Sequence, residues 1–135
     1  MPSLFDHRLF ISHSWRHGEK YQRILNFLDS ARNFQYRNLS VPVDRRFPSM
    51  TQTELREELR QQIRPAQVVV ILGGMYVSHS NWIQFEIDFA RSLMKPILGI
   101  RPWGAQRMPA AVNNAANIVV GWNTDSIVNA IRQLR

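Results

Sequence analysis

A carboxylate in an unexpected place is the first feature of this sequence that could do chemistry. On a helical wheel at about 100° per residue, segment 80–93 gathers on one side the residues Trp82, Ile83, Phe89, Ala90 and Leu93. Glu86 falls among them and is expected near the start of its helix, whereas Asp88 falls on the polar side. Burying an unpaired charge is very costly, so Glu86 must be hydrogen-bonded, paired or reached by solvent. Two interpretations stay open: a structural carboxylate, which pairs with an arginine or reaches solvent at the helix end, and a catalytic carboxylate in a cleft floored by Trp82.

A turn after the first apolar run carries side chains suited to a nucleotide. It consists of Ser12, His13, Ser14 and Trp15, which offer hydroxyls, an imidazole and an indole. These groups suit contact with a sugar, a phosphate or a base. A self-satisfied serine-rich turn, with Trp15 folded into the core, is the equal alternative.

A second candidate loop is Asp44-Arg45-Arg46-Phe47. Arg45 could hold a phosphate through its guanidinium, and Phe47 could stack on a ring of a dinucleotide. A charged, solvated loop is the alternative interpretation.

Several common kinds of site are disfavoured. The chain has no cysteine, and its four histidines have no acidic or third partner at the spacing of metal ligands, so no metal is expected. Gly73-Gly74 lacks the GxGxxG fingerprint and the P-loop lysine, and no GxSxG motif is present. The formal charge is +7, but the arginines are spread along the chain rather than clustered with aromatic residues. No nucleic-acid partner is therefore expected.

Apolar runs and amphipathic stretches alternate along the chain. Strands are predicted over His7–Ser12, Tyr36–Val41, Val68–Leu72, Pro96–Arg101 and Asn117–Val120. Helices are predicted over Glu19–Arg32, from the capping box Thr51–Glu54 to Pro65, through SNWIQFE to Pro96, and over Thr124–Arg135. This alternation predicts an α/β fold, a flavodoxin-like doubly wound five-stranded parallel sheet with helices on both faces. Ligands bind such sheets beyond the carboxyl ends of the strands.

Length and composition indicate one soluble domain over residues 1–135, with 44% apolar and 20% charged residues. The start, MPSLFDHR, lacks the basic and apolar regions of a signal peptide. The longest apolar run, Val68–Val77, is too short to span a bilayer. A cytoplasmic protein without a membrane partner is predicted.

Several segments together resemble a known family. FDHRLFISHS resembles the first motif of TIR domains, in which an aspartate precedes an apolar strand ending in Ile-Ser. Trp82-Ile-Gln-Phe-Glu86 has the WxxxE spacing of enzymatically active TIR domains. With RNLSVP, LRQQIRPAQVVVILGGMY, KPILGIRPWG and VGWNTDSIVNAIR, the chain resembles the TIR-like proteins of the bacterial Thoeris anti-phage system over nearly its full length. One departure is that many NAD-hydrolysing TIR domains carry basic residues where this chain has His13-Ser14-Trp15.

The resemblance implies a TIR fold and NAD as a substrate, with no cofactor. Members cleave the nicotinamide–ribose bond, and Thoeris members join the ADP-ribose into a diffusible cyclic signal that activates a partner effector. By position, Glu86 matches the catalytic glutamate and Trp82 the tryptophan of WxxxE. Ser12 to Trp15 match the loop that borders the NAD pocket, and Arg45 and Phe47 correspond loosely to the loop after the second strand.

Other functions on the same fold stay open. TIR domains often assemble, so a homo-oligomer is expected, and a non-catalytic adaptor acting by self-association is the main alternative. An adaptor would not need Glu86 on the inward face. A phospho-receiver-like module would need an aspartate at the end of the third strand, where this chain has Leu72-Gly73-Gly74. That absence disfavours it.

Overall fold

The computed structural model describes residues 6–12, 18–40, 51–72, 76–101, 108 and 110–134, with side chains except at 18–21, 52, 55 and 76–82. Within these ranges strands and helices alternate. The strands are β1 (Asp6–Ile11), β2 (Gln35–Asn38), β3 (Val68–Leu72), β4 (Ile97–Ile100) and β5 (Ile118–Val120). The helices are α1 (Gly18–Ser30), α2 (Gln52–Ile63), α3 (Tyr76–Ser92), α4 (Ala110–Ala115) and α5 (Thr124–Leu134).

The strands form one sheet in the order β2-β1-β3-β4-β5, with every pairing parallel. Helices α2, α3 and α4 pack side by side, and α1 packs with α5. Right-handed crossovers place these two groups on opposite faces of the sheet. The predicted flavodoxin-like fold is therefore confirmed. In this order the chain reverses its direction of travel between β1 and β3, which is where such sheets bind ligands.

The burial of each strand follows its position in the sheet. All five residues of the central strand β3, VVVIL, are buried, as expected of a strand covered on both faces. The edge strand β2 leaves Gln35 and Arg37 exposed, which explains its weaker apolar pattern. It ends at Asn38, whose Oδ1 accepts a hydrogen bond from the amide of Ser40 at 3.1 Å. The predicted end of this strand, Val41, lies outside the described residues.

Helix α2 was predicted from the sequence, whereas helix α4 was not. The capping box of α2 is confirmed, because Thr51 Oγ1 accepts from the Glu54 amide and Glu54 Oε1 accepts from the Thr51 amide, each at 3.1 Å. Helix α4 was not predicted from the sequence. It spans only Ala110–Ala115, and Val112 is its buried residue, so it is too short to show a helical period.

Glycine at position 99 lets α4 approach the sheet closely. A Cβ there would lie 3.0 Å from Met108 Cε, 3.3 Å from Ala116 Cβ and 3.4 Å from Val112 Cγ1. We expect Gly99→Ala to lower the free energy of unfolding by about 1–3 kcal/mol, because overpacking forces the helix away from the strand. Denaturant unfolding measures this.

Gly121 provides the matched control, since a Cβ there would meet nothing within 4 Å. Gly121→Ala should change stability by less than about 0.5 kcal/mol. Equal losses in the two variants would contradict the packing explanation.

Candidate active site

The residues Ser12 and Glu86 form a buried polar pair at the junction of β1, β3 and α3. Ser12 Oγ donates a hydrogen bond to Glu86 Oε1 at 3.1 Å. Ser12 is 2% exposed and Glu86 is 5% exposed, so both lie in the protein interior. The inward orientation of Glu86 predicted from helical periodicity is confirmed.

The pair lies below the end of the central strand. Ile11 pairs with Val70, and the Ser12 amide donates to the Val70 carbonyl at 2.8 Å. Strand β3 then continues for two residues to Leu72. At about 3.3 Å per residue, β1 therefore ends roughly 7 Å before β3 does. This stagger places Ser12 about two residues short of the carboxyl end of β3, with Glu86 beside it, at the point where the strand order reverses.

Helix α3 brings Glu86 to this depth because it runs antiparallel to the strands. It begins at Tyr76, ten residues before Glu86, which corresponds to about 15 Å along the helix axis. The sequence placed Glu86 near the start of this helix, and that placement was wrong, because the helix begins before SNWIQFE. A glutamate nearer the amino end would lie level with the end of β3 instead of the end of β1.

The buried side of α3 is also rotated relative to the wheel. Ile83, Ile87 and Ala90 are buried, whereas Leu93 is 39% exposed. Phe89 is only partly buried. The wheel therefore placed Leu93 and Phe89 too far inside and left out Ile87. The rotation has a packing cause: Phe85 and Phe89 face side chains of α2 rather than the sheet.

The surroundings of Glu86 favour its neutral form. Burial raises the pKa of Glu86 to about 8, and the hydrogen bond from Ser12 opposes this rise only in part. Within the described ranges no arginine, lysine or histidine forms an ion pair with Glu86, so the structural ion pair considered from the sequence is not found there. At neutral pH the carboxyl group is therefore mostly protonated. It can act as a general acid in this form and can stabilise a cation once it is ionised.

The structure describes only part of the predicted site. It brings Ser12 together with Glu86. Trp82 belongs to α3, but its side chain is outside the described residues, as are His13, Ser14, Trp15, Arg45 and Phe47 in their entirety. Their roles at the site stay predictions.

A cluster of arginine and phenylalanine side chains on the outer side of α2 and α3 was not predicted from the sequence. Arg56, Arg60 and Arg64 lie over Phe85 and Phe89, so the view that the arginines do not cluster with aromatic residues was wrong. Both sets repeat every four residues, and this spacing was visible in the sequence. The sequence did not reveal that α2 packs against α3.

Two other properties concern the described part of the chain. None of its helices has the length and apolarity needed to cross a membrane. Its histidine, aspartate and glutamate side chains form no group of three or more that could hold a metal ion.

Comparisons with known proteins agree with this fold. The chain is similar to the structure of the CMP N-glycosidase BcmB of Clostridium botulinum, with a TM-score of 0.54, 17% sequence identity and coverage of 93% of this chain and 98% of that chain. At this identity the likeness shows a shared fold. No curated protein sequence matches the chain. The sequence model of the family "Thoeris protein ThsB, TIR-like domain" matches residues 10–107, which is more than half of the chain. The protein therefore belongs to the family of Thoeris ThsB TIR-like domains.

Proposed function

We propose that this protein cleaves the nicotinamide–ribose bond of NAD and closes the ADP-ribose into a cyclic signal that activates a partner effector. The observation that carries the proposal is a buried carboxyl group, Glu86, hydrogen-bonded to Ser12 at the switch point of the sheet. Family membership supplies the context of the Thoeris defence system, in which the chain works alongside partner proteins.

The chemistry matches what a buried carboxylate can do. When the bond between the pyridine nitrogen and C1′ of the ribose breaks, its electron pair leaves with neutral nicotinamide, and an oxocarbenium-like cation remains. Ionised Glu86 beside this ribose would stabilise the cation, as carboxylates do in glycoside hydrolysis. Exclusion of water from the site would strengthen that stabilisation.

Ring closure needs a nucleophile from the substrate itself. A nucleophilic atom of the ADP-ribose attacks C1′ and loses a proton, which gives a product lighter than ADP-ribose by one water. If water attacks instead, linear ADP-ribose forms. Burial of the pair at 2% and 5% exposure favours the first course, because it limits the access of water to the reacting carbon.

The positive charge on the nicotinamide ring of NAD would favour the ionised form of Glu86. The nicotinamide ring is cationic in the substrate, and a cation close to a carboxyl group favours its ionised form. Substrate binding would thus lower the pKa from about 8 and release a proton. This provides the counter-charge that the described part of the site lacks.

A second candidate is hydrolysis of a nucleoside monophosphate to a free base and ribose phosphate. It is favoured by the likeness to a CMP N-glycosidase and by the protonated state of Glu86 at neutral pH. A neutral base such as cytosine is a poor leaving group until it is protonated. Protonated Glu86 could act as the general acid that supplies this proton.

The test is to incubate the purified chain with NAD and, separately, with CMP, with and without lysate of phage-infected cells. Chromatography and mass spectrometry follow nicotinamide, cytosine and the ribosyl products. The two candidates predict different pH dependences of kcat/KM, which reports the pKa of Glu86 in the free enzyme, about 8. Below that pH, kcat/KM for NAD should rise about tenfold per pH unit, because cleavage needs ionised Glu86, whereas kcat/KM for CMP should stay level and should fall above that pH.

Each product decides between specific functions. A cyclic product from NAD supports the proposal, and linear ADP-ribose alone supports a hydrolase and refutes the signalling step. Cytosine release with no nicotinamide release supports the nucleotide N-glycosidase. If neither substrate is consumed under any condition, the non-catalytic adaptor acting by self-association becomes the better explanation.

A further inference from the structure

A row of arginines lies over a pair of phenylalanine rings on the outer side of α2 and α3. We name this the arginine–phenylalanine surface, and it consists of Arg56, Arg60, Arg64, Phe85 and Phe89. Arg56 and Arg60 lie 6.0 and 5.3 Å from the ring centre of Phe85. Arg60 and Arg64 each lie 5.8 Å from that of Phe89. These are the distances of cation–π contacts, so the guanidinium groups hold defined positions.

The contacts cover the faces of the rings and determine which ligands fit. Phe85 and Phe89 are nearly parallel, with ring centres 6.3 Å apart and planes inclined by 7°. A guanidinium above a ring face prevents a nucleobase from stacking on it. The guanidinium itself donates hydrogen bonds in its own plane, in the fork geometry that binds carboxylates and phosphates. The surface is thus suited to anions rather than to bases.

An acidic residue beside the arginines favours one kind of anion over the other. Glu57 forms an ion pair with Arg60 at 3.4 Å, and both side chains are partly exposed. A nucleic-acid backbone would bring uniform negative charge against this carboxylate. A protein segment can instead present acids to the arginines and neutral or basic residues to the flanks.

The spacing of the arginines matches one turn of helix. Successive members of the row are four residues apart on α2, which is about 6 Å along its axis. Glutamates at every fourth position of a second helix have the same spacing. We propose that the arginine–phenylalanine surface binds an acidic helical segment of a partner protein, with carboxylates repeated at every fourth residue. This goes beyond the proposed catalysis, since Glu86 lies on the inner side of α3 and takes no part in it.

The test uses the full chain and designed peptides of about twenty residues, long enough for a stable helix. One peptide has glutamate at every fourth position and lysines on the flanks, and a second has the same composition in shuffled order. A single-stranded oligonucleotide of equal negative charge is the third ligand. We expect the patterned peptide to bind in a salt-sensitive manner, and Arg60→Gln with Arg64→Gln to weaken it at least about tenfold.

A matched control removes the same charge elsewhere. Arg32→Gln with Arg91→Gln replaces two exposed arginines outside the surface and should change affinity less than about twofold. Arg60→Lys with Arg64→Lys keeps the charge and should still weaken binding, because lysine lacks the planar fork. Thermal melting of every variant checks that the fold is retained.

The remaining results would overturn the proposal. Equal loss in the control pair would mean attraction by net charge alone. Stronger binding of the oligonucleotide would make this a phosphate-binding surface. Self-association abolished by the Arg60 and Arg64 changes would assign it to a second copy of the chain. Lower melting temperature with unchanged peptide affinity would leave the arginines a purely structural role between α2 and α3.

Discussion

Glu86→Gln should reduce nicotinamide release from NAD by about 10³-fold while leaving the chain folded. Glutamine has the shape of glutamate and can still accept the hydrogen bond from Ser12, but it cannot carry the negative charge that stabilises the oxocarbenium-like state. The loss should appear in kcat rather than in KM, because the charge acts mainly on the transition state. Steady-state assays of nicotinamide release measure it.

Asp88 supplies the matched control on the same helix. It is exposed, and its carboxylate accepts a hydrogen bond from Gln84 at 2.9 Å. Asp88→Asn makes the same change from a carboxyl group to an amide at an exposed position and should retain activity within about twofold. If Glu86→Gln kept full activity, the catalytic role of Glu86 would be refuted, and the adaptor interpretation would gain support.

The second large effect concerns stability and pH. Burial holds the pKa of Glu86 at about 8 in the folded chain, against 4.5 when it is exposed in the unfolded chain. Below pH 4.5 the group is protonated in both states and has no pH-dependent effect on folding. As the pH rises from 4.5 to 8, the unfolded chain ionises first, and the folded state loses stability. Above that range both states are ionised, and the loss stays constant.

Glu86→Gln should remove this loss. Since one pKa unit corresponds to about 1.4 kcal/mol, the variant should exceed the parent chain in stability by roughly 3–5 kcal/mol more at alkaline pH than at acidic pH. Denaturant unfolding at a series of pH values measures the difference. Comparing parent and variant cancels the other titrating groups, which are the same in both chains.

Ser12→Ala tests the cause of the shift. The hydrogen bond from Ser12 lowers the pKa of Glu86, so its removal should raise that pKa further. The midpoint of the stability loss should then move to higher pH. A difference between parent and Glu86→Gln that does not change with pH would show that Glu86 titrates normally, and the buried description of its environment would be wrong.

The two predictions together describe a residue that lowers the stability of the folded chain at neutral pH. A glutamine at this position would pack as well and would not oppose folding at neutral pH. Perturbed carboxyl groups of this kind concentrate at functional sites. A measured stability cost of Glu86 would therefore support its participation in chemistry.

The order of strands and helices was open to prediction because each depends on local patterns. The run VVVIL predicted a buried strand and the capping box at Thr51 predicted the start of α2, and the structure has both. The apolar periodicity of α5 likewise places its start at Thr124 as predicted. Helix α4, with one buried residue in six, had too little pattern to be found.

The candidate site likewise has one feature that local spacing predicts and others that depend on the tertiary structure. The sequence by itself determined that Glu86 lies on an inward face, because helical periodicity depends only on the spacing of residues along one element. Only the tertiary structure decided that Ser12 is its partner, since the contact joins residues 74 positions apart through the stagger of β1 against β3. The pKa of Glu86 and the clustering of arginines on Phe85 and Phe89 also depend on how elements pack. Burial and contacts between elements are properties of the whole fold, and no local spacing encodes them.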